Sequence, residues 1–107
     1  MYNKIAVKNL KKLLVAKFPK TIDRIILYGS RIGNTNERFS DYDFLVILKS
    51  KYDWKLKKRI RDTAFDIDVE YNILTDMKVI SSSELNSIKS ELPFIQEALS
   101  RGLVIWL

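Results

Sequence analysis

The segment IILYGSRIGNTNERFSDYDFLVIL, residues Ile25–Leu48, decides the fold. Its first four residues are β-branched, aliphatic or aromatic and are followed at once by Gly29-Ser30, a pattern typical of a strand that turns sharply into a helix. The apolar run Tyr42–Leu48 predicts a second, buried strand. A polar loop joins the two predicted strands, and we expect the rest of the chain to support this unit.

Two carboxylates stand where the second strand begins. Asp41 and Asp43 are two residues apart, so on a strand their side chains share one face and lie roughly 6 to 7 Å from each other. A pair of this kind can hold a divalent metal ion against a triphosphate. The alternative is a polar turn in which an aspartate caps a backbone amide, and the spacing from the glycine turn favours metal binding.

The turn after the first strand suits a phosphate group. Gly29 allows the backbone to approach phosphate closely, and the Ser30 hydroxyl and the first amides of a helix over 30–36 can donate hydrogen bonds to its oxygens. Arg31 can add positive charge. Alone, Gly29-Ser30 would be read as an ordinary turn, so the prediction depends on its combination with the two aspartates.

Composition narrows the chemistry further. The 107 residues include no cysteine and no histidine, which excludes disulfides, a thiolate nucleophile and the commonest general base and zinc ligand. Metal chemistry must then rest on oxygen ligands, which suit Mg²⁺, Mn²⁺ or Ca²⁺.

The length predicts one domain, 1–107, with a single modest core. No apolar run approaches the roughly 18 to 20 residues of a membrane helix, and no signal peptide is visible, so we expect a cytoplasmic protein without membrane contact. The net charge of +6 is concentrated in the run 49–61, which could bind nucleic acid or an acidic partner. A solvated helix face explains that run more simply.

Hydrophobic periodicity predicts the remaining elements. An amphipathic helix is expected over Asn3–Phe18, a strand over Ile73–Ile80 and a helix that a capping-box pattern opens at Ser81 and Pro93 restarts. The last residues, 103–107, would form an edge strand or an apolar tail. We also expect four aromatic residues to lie in the core: Tyr28, Tyr42, Phe44 and Phe65.

The segment Asp53–Tyr71 fits both helical and strand periodicity, and the longer register favours a helix. This choice decides where a third carboxylate would lie, one able to bind metal and help deprotonate an acceptor hydroxyl. With a helix, Asp76 on the third strand is the candidate. If residues 66–71 formed a strand instead, Asp68 would take that role.

The predicted order of elements indicates an α/β (α+β) fold, a small mixed β-sheet with helices packed mainly on one side. With Gly29-Ser30, ten intervening residues and Asp41-Tyr42-Asp43-Phe44, the chain resembles the polymerase-β-like nucleotidyltransferase superfamily and its smallest members, the minimal nucleotidyltransferases. The resemblance covers nearly the whole chain and implies a polymerase-β palm-like fold.

The resemblance also implies a function, namely Mg²⁺- or Mn²⁺-dependent transfer of a nucleoside monophosphate, AMP, from a nucleoside triphosphate such as ATP to a protein or RNA acceptor. Residues Gly29, Ser30, Arg31 and Ser40 would bind the nucleotide, and Asp41, Asp43 and Asp76 would bind metal and carry the catalysis. Many proteins of this group are antitoxins encoded beside a helical HEPN-type ribonuclease toxin, so such a partner is expected.

The chain departs from the family pattern in the glycine loop. Members often read Gly-Ser-Arg-Ala-Arg-Gly, whereas here the run is Gly29-Ser30-Arg31-Ile32-Gly33-Asn34, so the second basic residue is absent. A competing hypothesis is a non-catalytic module that binds a nucleotide or a partner and neutralises that partner by contact alone.

Overall fold

The structure, a computed structural model, describes residues 3–29 and 42–107. The helix predicted over 30–36 lies outside these ranges. The described elements, in chain order, are α1 (Lys4–Lys17), β1 (Ile22–Tyr28), β2 (Tyr42–Leu48), α2 (Trp54–Tyr71), β3 (Thr75–Ser81), α3 (Ser82–Leu85), a 3₁₀ helix (Ile88–Glu91), α4 (Pro93–Arg101) and β4 (Leu103–Trp106).

The four described strands form one mixed sheet in the order β3-β2-β1-β4. β1 is antiparallel to both of its neighbours, β2 and β4, whereas β2 and β3 run parallel. Parallel strands need a crossover connection, and α2 supplies it. The predicted mixed sheet is confirmed, and the last apolar residues form a strand that pairs with β1.

Helices cover the two faces of the sheet unequally. The long helices α1 and α2 pack on one face, where alternate strand residues such as Ile25, Phe44 and Val79 join the core. The short helix α4 packs on the opposite face through Ile95 and Ala98. The prediction of helices packed mainly on one side of the sheet is therefore confirmed, and α4 belongs to the smaller layer on the other side.

The ambiguous segment is a helix. The Asp53 side chain caps α2 by accepting a hydrogen bond from the Leu56 N–H, and Asn72 ends the helix in a left-handed conformation with φ 53°. Asparagine tolerates positive φ better than most residues, which explains the stop at this position. Asp68 therefore lies on α2 and not on a strand.

The helix α1 is joined to the start of β2 at its first turn. The Asn3 side chain caps α1 by accepting from the Ala6 N–H, and the Asn3 N–H donates to the Tyr42 hydroxyl at 2.9 Å. This contact ties the beginning of the chain to the strand that carries Asp43.

Most predicted boundaries hold within three residues. β1 begins at Ile22, earlier than the expected Ile25, and β3 spans Thr75–Ser81 where 73–80 was expected. The capping box at Ser81 and the helix start at Pro93 are both confirmed. Within the two described ranges, no helix is long and apolar enough to cross a membrane.

One core prediction is wrong. Tyr28, Tyr42 and Phe44 are buried, but the Phe65 side chain is 62% exposed. The buried face of α2 runs through Ile60, Thr63, Ala64 and Ile67. Because successive helical residues point about 100° apart, Phe65 turns away from the sheet.

Candidate functional site

The candidate site lies at one edge of the sheet, where β1 ends and β2 and β3 begin. Tyr28 is paired with Asp43 across β1 and β2, and Asp43 is paired with Asp76 across β2 and β3. Neighbouring strands are about 4.8 Å apart. The backbone therefore places one tyrosine and two aspartates in a row across three strands.

The three side chains of this row share the face of the sheet that α4 covers. Tyr28 belongs to the buried cluster on that face, together with Leu45 and Ile47 of β2 and Ile80 of β3. Because side chains alternate along a strand, Asp43 and Asp76 point to the same face. The buried residues lie in the middle of this face. The two aspartates lie at the end of the face where β2 and β3 begin.

Gly29 follows Tyr28 and has a backbone conformation that other residues rarely adopt, with φ +85°. A Cβ atom at this position would overlap the Asp43 Oδ2 atom. Glycine is therefore required twice over, by the positive φ and by the close approach of the Asp43 carboxylate to the backbone. The predicted glycine turn and the predicted acid are in direct contact.

Asp76 is accessible to solvent, with a side chain that is 40% exposed. Its Oδ2 atom pairs with the Lys78 Nζ atom at 2.7 Å, and the Lys78 side chain is 35% exposed. The two residues are neighbours on one face of β3 because they are two positions apart. A divalent ion or a substrate hydroxyl can reach this carboxylate.

The Tyr28 ring is buried, with 4% of the residue exposed. Burial raises the pKa of its hydroxyl well above the ordinary value, and the negative charges of Asp43, Asp76 and Glu97 raise this pKa further. Two of these charges lie in the same row across the sheet, on Asp43, the cross-strand partner of Tyr28, and on Asp76 beyond it. The phenol remains protonated at neutral pH and can act as a hydrogen-bond donor.

The structure brings three of the seven predicted site residues together, namely Gly29, Asp43 and Asp76. The other four lie outside the described residues: Ser30, Arg31, Ser40 and Asp41. Among the residues that are described, no three acidic, histidine or cysteine side chains group closely enough to hold a metal ion. A three-carboxylate site would thus need Asp41 beside the described pair.

Sequence reasoning missed three contributors to this site. Tyr28 was assigned to the core alone, although it is also the cross-strand partner of Asp43. Lys78 was given no role, although its position two residues after Asp76 on the predicted strand was the signal for their pairing. Glu97 lies on α4, and no sequence pattern connects it with the other acids.

Comparison with known proteins finds a matching family. The model of the family described as polymerase beta nucleotidyltransferase matches residues 8–106. No curated protein sequence gives a significant match.

Two crystal structures of the toxin–antitoxin pair MntA–HpeT contain a chain of similar fold. One, a mutant with two aspartates changed to glutamate, has a TM-score of 0.62 at 19% identity, covering 92% of this chain and 71% of that chain. The other, a tyrosine-to-alanine mutant, has a TM-score of 0.62 at 21% identity, covering 99% and 73%. At these identities the likeness shows the shared fold.

Proposed function

The chain belongs to the polymerase β nucleotidyltransferase family, and on that premise we propose that it transfers AMP from ATP to a hydroxyl of a protein or RNA acceptor. The observation that carries the proposal is the pairing of Asp43 with Asp76 on adjacent strands, in contact with the Gly29 turn. Family membership supports transferase activity, and this arrangement supplies residues suited to it.

The described residues fit a divalent metal ion. Carboxylate oxygens are the ligands that Mg²⁺ and Mn²⁺ prefer, and Asp43 and Asp76 are paired on adjacent strands with their side chains on one face of the sheet. The space beside Gly29, which a Cβ atom would fill, leaves room for the Asp43 carboxylate. Asp43 and Asp76 would hold the ion, with Asp41 as the third ligand in this proposal. When bound, the ion neutralises the charge that develops on the phosphate oxygens.

The reaction forms a bond between the acceptor oxygen and the α-phosphorus of ATP and breaks the bond from that phosphorus to the bridging oxygen of pyrophosphate. Asp76 is accessible and would accept the proton of the acceptor hydroxyl. Gly29 would let the backbone approach the triphosphate, with Ser30, Arg31 and Ser40 as further contacts.

The proposed setting is a cytoplasmic toxin–antitoxin pair with a helical HEPN-type partner as the acceptor or its carrier. The MntA–HpeT structures, whose fold this chain shares, come from a toxin–antitoxin pair. Contact alone could also neutralise such a partner, so the test must separate transfer from binding.

The test incubates the protein with the product of the adjacent gene, Mg²⁺ and α-labelled ATP, CTP, GTP or UTP in turn. Wild type is compared with the Asp41→Ala/Asp43→Ala variant, and neutralisation of the partner is measured in parallel. We expect label transfer from ATP that the variant loses together with neutralisation. If wild type and the variant both neutralise the partner fully and neither transfers label, the proposal is overturned in favour of a non-catalytic module that acts by contact.

A further inference from the structure

A positively charged side chain is already bound to one of the two paired aspartates. The Lys78 ammonium group lies 2.7 Å from Asp76 Oδ2. This oxygen belongs to the carboxylate that would bind a metal ion in the proposed site. Of the lysines in the described ranges, only three form ion pairs, and this pair is the one at the candidate site.

The position of Lys78 is fixed from two directions. Its Nζ atom lies 5.8 Å from the centre of the Phe94 ring, at the start of α4. A cation is attracted to the face of an aromatic ring at this distance. The ammonium group is therefore held between a carboxylate on its own strand and a ring on the helix that packs over that face.

The surroundings explain why a cation is needed there. Asp43 and Asp76 are paired on neighbouring strands, and Glu97 adds a third negative charge near the same tyrosine. Like charges this close repel one another. The Lys78 charge offsets this repulsion, as a bound divalent ion would do.

We propose that Lys78 is a positioning residue that serves as the resident counter-ion of the metal site, neutralising Asp76 until a divalent ion takes over this role. Metal binding then displaces the ammonium group from Asp76 Oδ2. Lys78 thereby lowers the affinity of the site for metal while it stabilises the metal-free protein. This inference rests on the proposed function, because it needs a metal site at Asp76.

The chain offers a matched control. Lys58 and Asp62 also form an ion pair of 2.7 Å, but they lie on α2 with side chains that are 64% and 62% exposed. Replacing Lys58 removes the same charge from an equally short pair away from the carboxylates. A change in metal binding that is seen only when Lys78 is replaced therefore reflects the candidate site and not the net charge of the protein.

The experiment measures Mn²⁺ binding without nucleotide, by electron paramagnetic resonance, in wild type and in the variants Lys78→Met, Lys78→Arg and Lys58→Met. Methionine keeps an unbranched apolar chain against Phe94 and removes the charge. Melting temperatures in EDTA and in excess Mn²⁺ are measured on the same proteins, so that folding of each variant is established.

We expect Lys78→Met to bind Mn²⁺ about two- to fivefold more tightly than wild type, since one partly exposed ion pair no longer competes. Its melting temperature in EDTA should be lower, and its gain on adding Mn²⁺ should be larger. Lys78→Arg and Lys58→Met should bind Mn²⁺ like wild type. Equal or weaker Mn²⁺ binding by Lys78→Met would overturn the proposal.

The Asp43→Asn variant separates this inference from the proposed function. Failure of wild type to bind Mn²⁺ more tightly than Asp43→Asn would remove the metal site itself. Binding that depends on Asp43 but not on Lys78 would leave the proposed function standing and remove only the role of Lys78.

Discussion

Asp43 and Asp76 are paired residues on two parallel strands, although the whole of α2 separates them in the sequence. The pairing depends on α2, because parallel neighbours can be joined only by a crossover segment. The helix thus determines which carboxylates lie together at the candidate site. It brings the third predicted carboxylate beside the second and leaves Asp68 on a different element.

The first prediction compares these two alternative acids. We expect Asp76→Asn to lower the rate of nucleotidyl transfer by about 100-fold or more, the scale of a lost general base or metal ligand. Asp68→Asn on α2 should stay within about threefold of wild type, since it lies outside the row of carboxylates. The measurement is initial rates of label transfer, with circular dichroism to confirm folding. A larger loss in Asp68→Asn would reverse the assignment.

The second prediction concerns Gly29. Gly29→Ala should destabilise the protein by about 1–3 kcal/mol, because alanine must adopt a positive φ and its Cβ would overlap Asp43. Gly29→Asn tests the two causes separately, since asparagine tolerates positive φ but still carries the Cβ atom. We expect asparagine to recover only a small part of the loss.

Urea unfolding at neutral pH measures both changes at Gly29. A Gly29→Ala variant within about 0.5 kcal/mol of wild type would contradict the strained turn. Full recovery by Gly29→Asn would instead show that the contact with Asp43 is unimportant for stability.

The third prediction follows from the raised pKa of Tyr28, whose causes are burial first and then the charges of Asp43, Asp76 and Glu97. A raised folded-state pKa adds stability that is fully present below the ordinary value of 10.0 and is lost as pH rises above it. Wild type should therefore lose stability above about pH 10, where the unfolded chain releases the proton first.

The Tyr28→Phe variant should show a smaller loss of stability over this alkaline range. Urea midpoints between about pH 9 and pH 11 measure the difference. Equal slopes for wild type and Tyr28→Phe would contradict the raised pKa of the buried tyrosine.

The fourth prediction concerns Glu84 at the other end of β3. Burial tends to raise its pKa, but hydrogen bonds from Lys89 and Ser81 outweigh burial and lower the pKa to about 2. The Lys89 Nζ atom lies 2.6 Å from one carboxylate oxygen, and the Ser81 N–H donates to the other at 3.1 Å. The resulting stability is present above the ordinary pKa of 4.5 and is lost as pH falls toward about 2.

Glu84→Gln should therefore be less stable than wild type at neutral pH and approach wild type in acid. Lys58→Met, which breaks an exposed pair elsewhere, serves as the control. Thermal unfolding at about pH 6 and pH 3 gives the comparison. A Glu84→Gln variant with the same deficit at both pH values would contradict the capping-box account.

Much of this fold can be predicted because its elements carry local signals. Asn3, Asp53 and Ser81 cap their helices, and Tyr42–Leu48 is an unbroken apolar run at the sheet centre. Phe65 belongs only to the strand periodicity of its segment, so its exposure follows from the helix that forms there. The buried face of α2 includes Ile60, Ala64 and Ile67, which recur at helical spacing.

The site is predictable in part for a physical reason. Gly29 and Asp43 belong to one continuous segment of sequence, so their spacing can be recognised directly. The structure brings the two into contact. The pairing of Tyr28 with Asp43 depends on the register of β1 and β2. The position of Glu97 depends on how α4 packs over the sheet, which no local pattern specifies. The same holds for the ring of Phe94 beside Lys78.

The central claim is that Asp43 and Asp76 together form a site for a metal-bound triphosphate. Isothermal titration calorimetry with ATP tests it most directly, using wild type and the Asp43→Asn/Asp76→Asn variant, each with Mg²⁺ and with EDTA. The account predicts that wild type binds ATP with Mg²⁺ at least about tenfold more tightly than in EDTA, and that the variant loses this difference. Equal Mg²⁺-dependent binding by both proteins would contradict it.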